Sequence, residues 1–475
     1  MPRLRVRPVA GLGMALALLF ALSGAPATAD PPVYPGPTPA ATCGPGSDPE
    51  THGQGRVTTE DVTSGRAARG FTCNTALLGH IGDSGGYKVH RYVDAAGHEC
   101  AYFDTTLLFP ANAANGVQEP TGVWVLDMSD PAHPVRKATL STPAMQSPHE
   151  SLSINSKRGL LAADLGNPIT YPGYVDIYDI SKDCRSPVLK SSLLLSLMGH
   201  EGNFSPDGNT FWVSSPSGSL AAIDVSNPLL PVPLWSTTAY KPHGLNVSDD
   251  GDRLYFADLG SDHGLTILDV SDVQKRVANP QPKVVSHLTW SNVSIPQNAI
   301  PVTIHKHSYL VEFDEFSRNI NYTASSYNPA DPVGAARIID IADEKNPKVV
   351  SNMRLAVNQP ENRAGDQQND PGATNGLQGY AAHYCAVPQR TDPGIVACGF
   401  ILSGLRIFDI RDPFHPKEIA YFNAPIQPMS RTGGVGSAYD MSAATFVPSR
   451  AEIWYSDGNS GFWAFRVTNG VWPFR

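Results

Sequence analysis

The segment GLTILDVSDVQK (264–275) contains an apolar strand that ends in Asp269 and runs directly into a turn. The same pattern returns along the chain, in most copies followed by a proline and a second short apolar run. The other copies are GVWVLDMSDPAHPV (122–135), YVDIYDISKDCRSPV (174–188), SLAAIDVSNPLLPV (219–232), AARIIDIADEKNPKV (335–349) and GLRIFDIRDPFHPKE (404–418). A seventh copy, GFWAFRV (461–467), has Arg466 in place of the aspartate. The chain is therefore a set of repeats of one small unit.

Each unit also contains an earlier pair of strands joined by a polar turn, as in NFSPDGNTFWVSS (203–215). Four short strands in a repeat of forty to fifty residues, with little helical periodicity, are typical of a β-propeller blade. We predict an all-β, seven-bladed β-propeller that forms a single domain over residues 71–475. The segment FTCNTALLGHI (71–81) is similar to the outer strands, and we expect it to complete the last blade, which closes the ring and removes exposed strand edges.

The motif in GLTILDVSD and GLRIFDIRDPFHP resembles the LVIVD repeat of exported bacterial proteins, over roughly residues 71 to 467. That resemblance implies a propeller and says little about activity, because the family is defined by its repeat. The stretch KPHGLNVSDDGDRLYFAD (241–258), followed by GLTILDVSD, is also similar to the repeat of the selenium-binding protein/methanethiol oxidase family. Propellers of that family carry histidines associated with copper.

The first 29 residues have the features of a secretory signal peptide. Arg3, Arg5 and Arg7 precede an apolar stretch at 10–22, and Ala27-Thr28-Ala29 fits a cleavage site. Residues 30–70, rich in Pro, Gly, Thr and Ala, indicate an extended leader before the propeller. We expect a bacterial protein that is secreted to the extracellular space, without membrane insertion.

The whole chain has a formal net charge of −9. The predicted signal carries three arginines and no acidic residue, so its removal lowers the net charge by three units. This balance argues against nucleic acid as a partner. The expected partner is a small-molecule substrate or a cell-surface ligand, and we expect the protein to be a monomer.

All six cysteines follow the signal, and an even number in an exported chain favours disulfides. Cys385 and Cys398 flank the turn PQRTDPGI so that they face each other in an antiparallel hairpin, which predicts a cross-strand bridge. Cys43, Cys73, Cys100 and Cys184 allow three pairings, of which we favour Cys43–Cys73 with Cys100–Cys184. The alternative is thiolate ligation of a metal, because Cys385 lies two residues from His383.

A histidine recurs at the apparent start of the first strand of successive repeats. The first strand of a blade lines the central channel, so these side chains are expected to meet at one mouth of it. Neutral imidazole is a good ligand for copper, iron or zinc. The predicted metal ligands are His149, His200, His243, His305, His307 and His383.

Several other residues fall near this predicted site. Glu150 and Glu201 follow two of the histidines and are candidate acceptors for the second imidazole nitrogen. His90 is a candidate counterpart in blade one, and Asp440 in blade seven. His263 and Tyr380 are candidates for a surrounding pocket. The competing interpretation is structural: a repeated histidine can be a hydrogen-bonding clip between blades.

The aspartates that end the repeated strands are expected to be structural, because their carboxylates can accept backbone N–H groups in the following turn. The leading functional hypothesis is a metal-dependent oxidoreductase acting on a small molecule, with copper or iron favoured over zinc. The first alternative is a non-enzymatic binding module for a cell-surface protein or glycan. The second is a metal-dependent hydrolase or lyase.

Overall fold

The structure is a computed structural model that describes residues 35–106, 121–166, 172–317, 328–374, 379–426 and 438–474. Seven antiparallel sheets are arranged as the blades of a β-propeller, which confirms the fold predicted from the repeats. The predicted signal peptide, residues 1–29, lies outside the described residues.

The chain enters through two short strands and then forms the first four blades in sequence. The two entering strands are β1 (Phe71–Cys73) and β2 (Thr75–Ile81). Blade one consists of β3 (Val89–Val93), β4 (Glu99–Asp104), β5 (Val123–Asp127) and β6 (Val135–Leu140), and blade two of β7 (Ser153–Asn155), β8 (Leu160–Asp164), β9 (Gly173–Asp179) and β10 (Val188–Ser196). Blade three consists of β11 (Glu201–Phe204), β12 (Thr210–Ser215), β13 (Ser219–Asp224) and β14 (Val232–Thr237), and blade four of β15 (Pro242–Val247), β16 (Arg253–Asp258), β17 (Gly264–Asp269) and β18 (Lys283–Leu288).

The last three blades follow the same order. Their strands are β19 (Ile295–Ile304), β20 (His307–Glu315), β21 (Ala336–Asp340) and β22 (Lys348–Met353) in blade five, β23 (Ala382–Ala386), β24 (Ile395–Phe400), β25 (Gly404–Asp409) and β26 (Lys417–Asn423) in blade six, and β27 (Thr445–Val447), β28 (Glu452–Asp457) and β29 (Gly461–Val467) in blade seven.

The N-terminal strand closes the ring as predicted, with one refinement. Strand β2 is the outermost strand of blade seven and pairs antiparallel with β29, from Thr75 opposite Val467 to Ile81 opposite Phe462. Strand β1 pairs instead with β26, so that it adds a fifth strand to blade six. The segment 71–81 therefore ties the last two blades together as well as closing the circle.

The aspartate that ends each third strand is a turn residue, as expected. The Oδ1 atom of Asp269 accepts the backbone N–H of Ser271 at 3.0 Å, and that of Asp224 accepts the N–H of Ser226 at 2.8 Å. The same contact, to the residue two positions later, is made by Asp127, Asp179, Asp340 and Asp409. These carboxylates stand at the outer strand connections, which explains their recurrence without a catalytic role.

The hydrophobic core lies between neighbouring blades. Blades four and five, for example, pack Tyr255, Leu265 and Ile267 against Leu310 and Ile339. Because side chains alternate between the two faces of a strand, each sheet contributes apolar residues to both of its neighbours. The innermost strands are thus held in a fixed circle around the channel.

The six cysteines form three disulfides in the predicted pairing, Cys43–Cys73, Cys100–Cys184 and Cys385–Cys398. Cys385 stands directly opposite Cys398 in the β23–β24 hairpin, as the length of the turn indicated. No cysteine in the described part of the chain is free, so thiolate ligation of a metal is ruled out there. Three disulfides indicate an oxidising compartment.

The segment before β1 contains little regular structure, and from Thr38 onward it packs against blades five and six. Its carboxylate Glu50 makes an ion pair with the buried Arg406 at 2.7 Å, and Arg56 pairs with Asp370 at 2.6 Å. The side chain of Val57 is buried within the core. The leader is therefore part of the domain rather than a separate linker.

Helices are short and lie in the connections. The α-helices span Thr59–Thr63, Pro143–Gln146, Ser271–Gln274, Pro360–Arg363 and Pro371–Thr374, and the 3-10 helices span Ala67–Arg69, Ala356–Asn358, Asp366–Asn369 and Pro448–Arg450. A search of the described residues finds no helix of the length and apolarity needed to cross a membrane.

Candidate metal centre

The innermost strands of blades four and six begin with a β-bulge. In β15 the pairing register shifts between Pro242 and Leu245, and in β23 it shifts between Ala382 and Cys385. The extra residues include His243 and His383 respectively. Bulges often redirect a side chain next to an active site. Here they carry both imidazoles toward the channel axis at the mouth where the innermost strands begin.

Four imidazoles and two carboxylates meet at this mouth. We call these residues the His–Glu cluster: His149, Glu150, His200, His243, Glu315 and His383. All six are buried, from 1% exposed for Glu150 and His383 to 6% for His149. They come from blades two to six, so the cluster exists only when the ring is assembled.

His383 lies at the centre of the cluster. Its Nε2 atom is 2.7 Å from Oε2 of Glu315 and 3.3 Å from Oε1 of Glu150. The Nε2 atom of His243 lies between the same two carboxylates, 3.8 Å from Glu150 and 3.7 Å from Glu315. Two imidazole nitrogens and two carboxylates thus face one small volume.

His200 and His149 complete the other side. Nε2 of His200 is 3.2 Å from Oε2 of Glu150, and Nδ1 of His149 is 4.0 Å from the same oxygen. The backbone of His149 has a left-handed conformation, with φ of +51°. That conformation is uncommon for a residue with a side chain, and it allows two consecutive residues, His149 and Glu150, to reach the cluster.

The second ring nitrogen of two histidines is held by the neighbouring blade. Nδ1 of His243 donates to the carbonyl of Pro296 at 2.8 Å, and Nδ1 of His383 donates to the carbonyl of Met441 at 2.8 Å. An imidazole that donates from Nδ1 presents Nε2 as a lone-pair ligand. The inter-blade clip and the candidate ligand atom are therefore two different nitrogens of the same side chain.

Charge is balanced within the cluster. Burial alone would raise the pKa of Glu150, but the imidazoles of His149 and His200 outweigh it and hold that pKa well below its usual range. Burial alone would lower the pKa of His383, but Glu315 and Glu150 outweigh it and raise that pKa to about 10. Burial, assisted by His200, places the pKa of His149 well below its ordinary value. The two carboxylates therefore favour a positive charge among the imidazoles, which a metal cation would supply when the imidazoles are deprotonated.

A second set of polar side chains lies one residue further along the innermost strands. We call it the deeper polar layer: Lys88, Glu201, Asn298 and Tyr384. Oε1 of Glu201 accepts hydrogen bonds from Asn298 at 2.5 Å and from the Tyr384 hydroxyl at 2.7 Å, and Nζ of Lys88 lies 3.2 Å away. Burial raises the pKa of Glu201 to about 7, against the opposing effect of Lys88.

Two predicted ligands lie elsewhere. His305 and His307 flank the hairpin turn between β19 and β20, and Nε2 of His307 is 2.9 Å from Oδ1 of Asp340 at the outer rim of the blade. The prediction placed them at the start of an innermost strand, but β19 starts ten residues earlier, at Ile295. They consequently occupy the opposite end of that strand, away from the His–Glu cluster.

The predicted counterpart in blade one is replaced by a tyrosine. His90 sits three residues too far along the strand, where Nε2 contacts the carbonyl of Leu152 at 2.8 Å, and burial lowers its pKa to about 4. The ring of Tyr87 takes the place next to the cluster, with its centroid 4.1 Å from that of His149 and 5.4 Å from that of His383.

The remaining predicted residues are structural or peripheral. Glu201 belongs to the deeper polar layer and does not support an imidazole nitrogen, a function that backbone carbonyls perform. The Tyr380 hydroxyl donates to the carbonyl of Val57 and so fixes the leader. Asp440 accepts the N–H of Ser442, and burial raises its pKa well above the usual value. Nδ1 of His263 is 3.3 Å from the carbonyl of Ser294.

Glu315 and Tyr87 were not anticipated. Glu315 ends β20, the second strand of blade five, and reaches the cluster across the interface with blade six. No repeated glutamate marks this position, because the second strands of the other blades end in Asp104, Asp164, Ser215, Asp258, Phe400 and Asp457. Only the three-dimensional arrangement brings this carboxylate to the imidazoles.

The donor set fits a divalent transition metal. Groups of three ligand atoms within 4.8 Å of one another occur in His149, Glu150 and His200 and again in Glu150, Glu315 and His383. Several cluster atoms, including both ring nitrogens of His200 and Oε2 of Glu150, lack a well-directed hydrogen bond although they are buried. Unsatisfied buried polar atoms are costly, and an ion bound among them removes that cost.

Comparison with known proteins identifies no family for this chain. No protein-family model matches the chain, and no curated protein matches it. Among solved structures, hydrazine synthase of Kuenenia stuttgartiensis is similar with a TM-score of 0.49 and 14% identity, over 82% of this chain and 97% of that one. A periplasmic gluconolactonase of Pseudomonas aeruginosa is similar with a TM-score of 0.47 and 13% identity, over 74% and 94%. At these values neither likeness bears on activity.

The fold and the site together define the class of protein: a seven-bladed β-propeller, stabilised by disulfides, with a buried His–Glu cluster that could hold a metal at one mouth of its channel.

Proposed function

We propose that the protein is a metal-dependent oxidoreductase acting on a small molecule, with its metal in the His–Glu cluster. The observation that carries the proposal is the orientation of His243 and His383. Each ring is fixed by donation from Nδ1 to a backbone carbonyl of the next blade, and each Nε2 faces the same two carboxylates within 2.7 to 3.8 Å.

The ligand types narrow the choice of metal. Imidazole suits copper, iron and zinc, whereas carboxylate favours harder ions. Two imidazoles and one carboxylate, with open positions left on the metal, are the ligand pattern of non-haem iron(II) sites, and His243, His383 and Glu150 supply this set. We therefore place iron ahead of copper and zinc. When bound, such an ion supplies one-electron chemistry and can activate a small oxidant.

The protein side chains have identifiable tasks around such an ion. His200, His243, His383 and Glu150 would hold it, and Glu315, whose Oε2 lies 2.7 Å from Nε2 of His383, would balance its charge. Tyr87 covers the cluster between blades one and two, and the ring of Phe316 lies 5.6 Å from that of His383. These aromatic walls exclude water, which strengthens the electrostatic interactions inside.

The proposal is tested by metal analysis of the purified, disulfide-bonded protein. Metal content by mass spectrometry should approach one equivalent per chain for the wild type and fall below a tenth of that for His200→Ala and for His243→Ala. His307→Ala is the matched control, because this histidine is outside the cluster, and it should retain the wild-type content. Wild-type protein that takes up no iron, copper or zinc after reconstitution would overturn the proposal.

The identity of the metal separates the alternatives. Iron or copper with a change in absorbance on reduction supports the oxidoreductase. Zinc as the single bound metal favours the hydrolase or lyase, in which Glu150 or Glu315 would act as the base toward a metal-activated water. A metal-free protein favours the binding module for a cell-surface protein or glycan.

A further inference from the structure

Gln297 is a buried amide for which the protein provides no partner. Its residue is fully buried, and neither Nε2 nor Oε1 has a hydrogen bond. Three side-chain amides in the innermost strands are satisfied: Asn298 donates to Glu201, Asn246 donates to Asn298, and Asn203 donates to Asn246. Gln297 thus differs from these asparagines of the innermost strands, because its amide makes no hydrogen bond.

The backbone places Gln297 in the wall of the His–Glu cluster. The register of β19 against β20 shifts between Pro296 and Asn298, so Gln297 is the bulged residue of blade five. His243 and His383 occupy the corresponding bulges in β15 and β23. The carbonyl of the preceding residue, Pro296, accepts the hydrogen bond from Nδ1 of His243, and Ile295 pairs with Glu315.

An unpaired buried amide destabilises a protein, because the group loses its hydrogen bonds to water and gains none in return. Such a group in a native structure calls for a ligand, a bound water or a functional reason. Imidazole occupies the equivalent place in the neighbouring blades, whereas an amide is a weak metal ligand and a good hydrogen-bond donor. The chemistry of Gln297 therefore suits a molecule bound beside the metal better than the metal itself.

We propose that Gln297 is a substrate-binding residue, which donates a hydrogen bond from Nε2 to an oxygen or nitrogen acceptor of a small ligand that shares the centre with the metal. This inference rests on the proposed function and deepens it. It assigns the substrate to small polar molecules that carry an oxyanion, carbonyl or similar acceptor at the end that enters the centre.

The test uses azide as the probe on full-length mature protein that has been reconstituted with iron and oxidised to the iron(III) form. Azide binding is followed by the absorbance that it produces with the metal, and metal content is measured in the same samples. The variants are Gln297→Leu and Gln297→Met, both close to glutamine in volume. Gln359→Leu is the matched control, since Gln359 is also buried with an unpaired Nε2 but lies in the segment before the helix Pro360–Arg363.

Both Gln297 variants should keep the wild-type metal content and bind azide roughly tenfold more weakly, the effect of losing one hydrogen bond to a charged ligand. The control should bind azide as the wild type does. If Gln297→Leu does not fold, the Met variant decides.

Unchanged azide affinity in a metal-loaded Gln297 variant would overturn the inference and leave the metal site intact. Loss of metal from folded Gln297 variants would also overturn it, because Gln297 would then be a ligand of the metal. Wild-type protein that binds no metal would overturn the proposed function and this inference with it. Wild-type protein that binds metal but not azide would overturn the inference alone.

Discussion

Nε2 of His383, in the first strand of blade six, lies 2.7 Å from Oε2 of Glu315, at the end of the second strand of blade five. The two residues are distant in sequence, and both are buried. Their contact joins adjacent blades at the point where the His–Glu cluster is assembled. The geometry of the site is consequently coupled to the packing of the ring.

Replacing Glu315 should therefore weaken metal binding. Glu315→Gln keeps the shape of the side chain but removes the charge that balances the cluster. We expect affinity for the reconstituting metal to fall about 10-fold to 100-fold, as is typical when a charged partner of the metal ligands is lost. Competition with a chelator measures it. Glu344→Gln, at the half-buried pair with Arg253, is the control, and equal affinities for the two variants would contradict the assignment.

The deeper polar layer should behave as a coupled charge pair. Lys88→Met leaves the buried carboxylate of Glu201 without its cation, and we expect a loss of about 3 kcal/mol in the free energy of unfolding. Glu201→Gln in addition should recover much of that loss, because the uncompensated charge is removed. Denaturant unfolding of the two single variants and the double variant measures the coupling. Additive effects of the two substitutions would show that the pair is not coupled.

Gly244 occupies the β15 bulge because no side chain fits there. A Cβ atom would lie 2.0 Å from Oε2 of Glu201 and 2.3 Å from the carbonyl oxygen of Gln297. Gly244→Ala should thus cost about 1 to 3 kcal/mol in stability and displace His243, so that metal affinity also falls. Gly36→Ala, where nothing lies within 4 Å, should be neutral in both measurements. A Gly244→Ala protein with wild-type stability and affinity would disprove the close contact.

Asp104 gives a pH dependence of the free energy of unfolding. Its Oδ1 accepts the backbone N–H of Tyr87, and burial raises its pKa to about 8. The unfolded chain has an ordinary aspartate pKa near 3.9, so the folded state retains a proton that the unfolded state has released. This contribution to stability is complete below about pH 4 and is lost as the pH rises toward 8.

Asp104→Asn abolishes that titration. Between pH 5 and pH 9 the wild type should therefore lose stability that the variant does not lose. The free energy of unfolding of the variant, relative to that of the wild type, should rise by more than about 1 kcal/mol over this range. Chemical denaturation at the two pH values gives the difference directly. A difference that does not vary with pH would mean that Asp104 titrates normally.

The sequence was sufficient for features that repeat or are local. The apolar strands that end in aspartate predicted the blades, and the spacing across one turn predicted Cys385 opposite Cys398. His200, His243 and His383 could be found because they recur at the same strand position. The different contacts of their two ring nitrogens could not be predicted. The nitrogen that acts as a clip binds a carbonyl of the neighbouring blade, such as that of Pro296, and this contact is seen only in the folded ring.

Other features depend on contacts between distant parts of the chain. His305 and His307 were misplaced because β19 and its hairpin are longer than the other first strands, which puts the turn where a strand start was expected. Glu315 carried no repeated signal, since none of the second strands of the other blades ends in a glutamate. The left-handed backbone of His149 is likewise set by its surroundings and not by its residue type.

The central claim is that a metal ion lies among the Nε2 atoms of His200, His243 and His383 and the carboxylate of Glu150. Anomalous X-ray diffraction from crystals of the metal-reconstituted protein, collected on both sides of the absorption edge of the metal, tests it most directly. The account predicts one strong anomalous peak about 2 Å from these nitrogens and from an oxygen of Glu150. A peak elsewhere, or none in this cluster from protein that carries the metal, would contradict it.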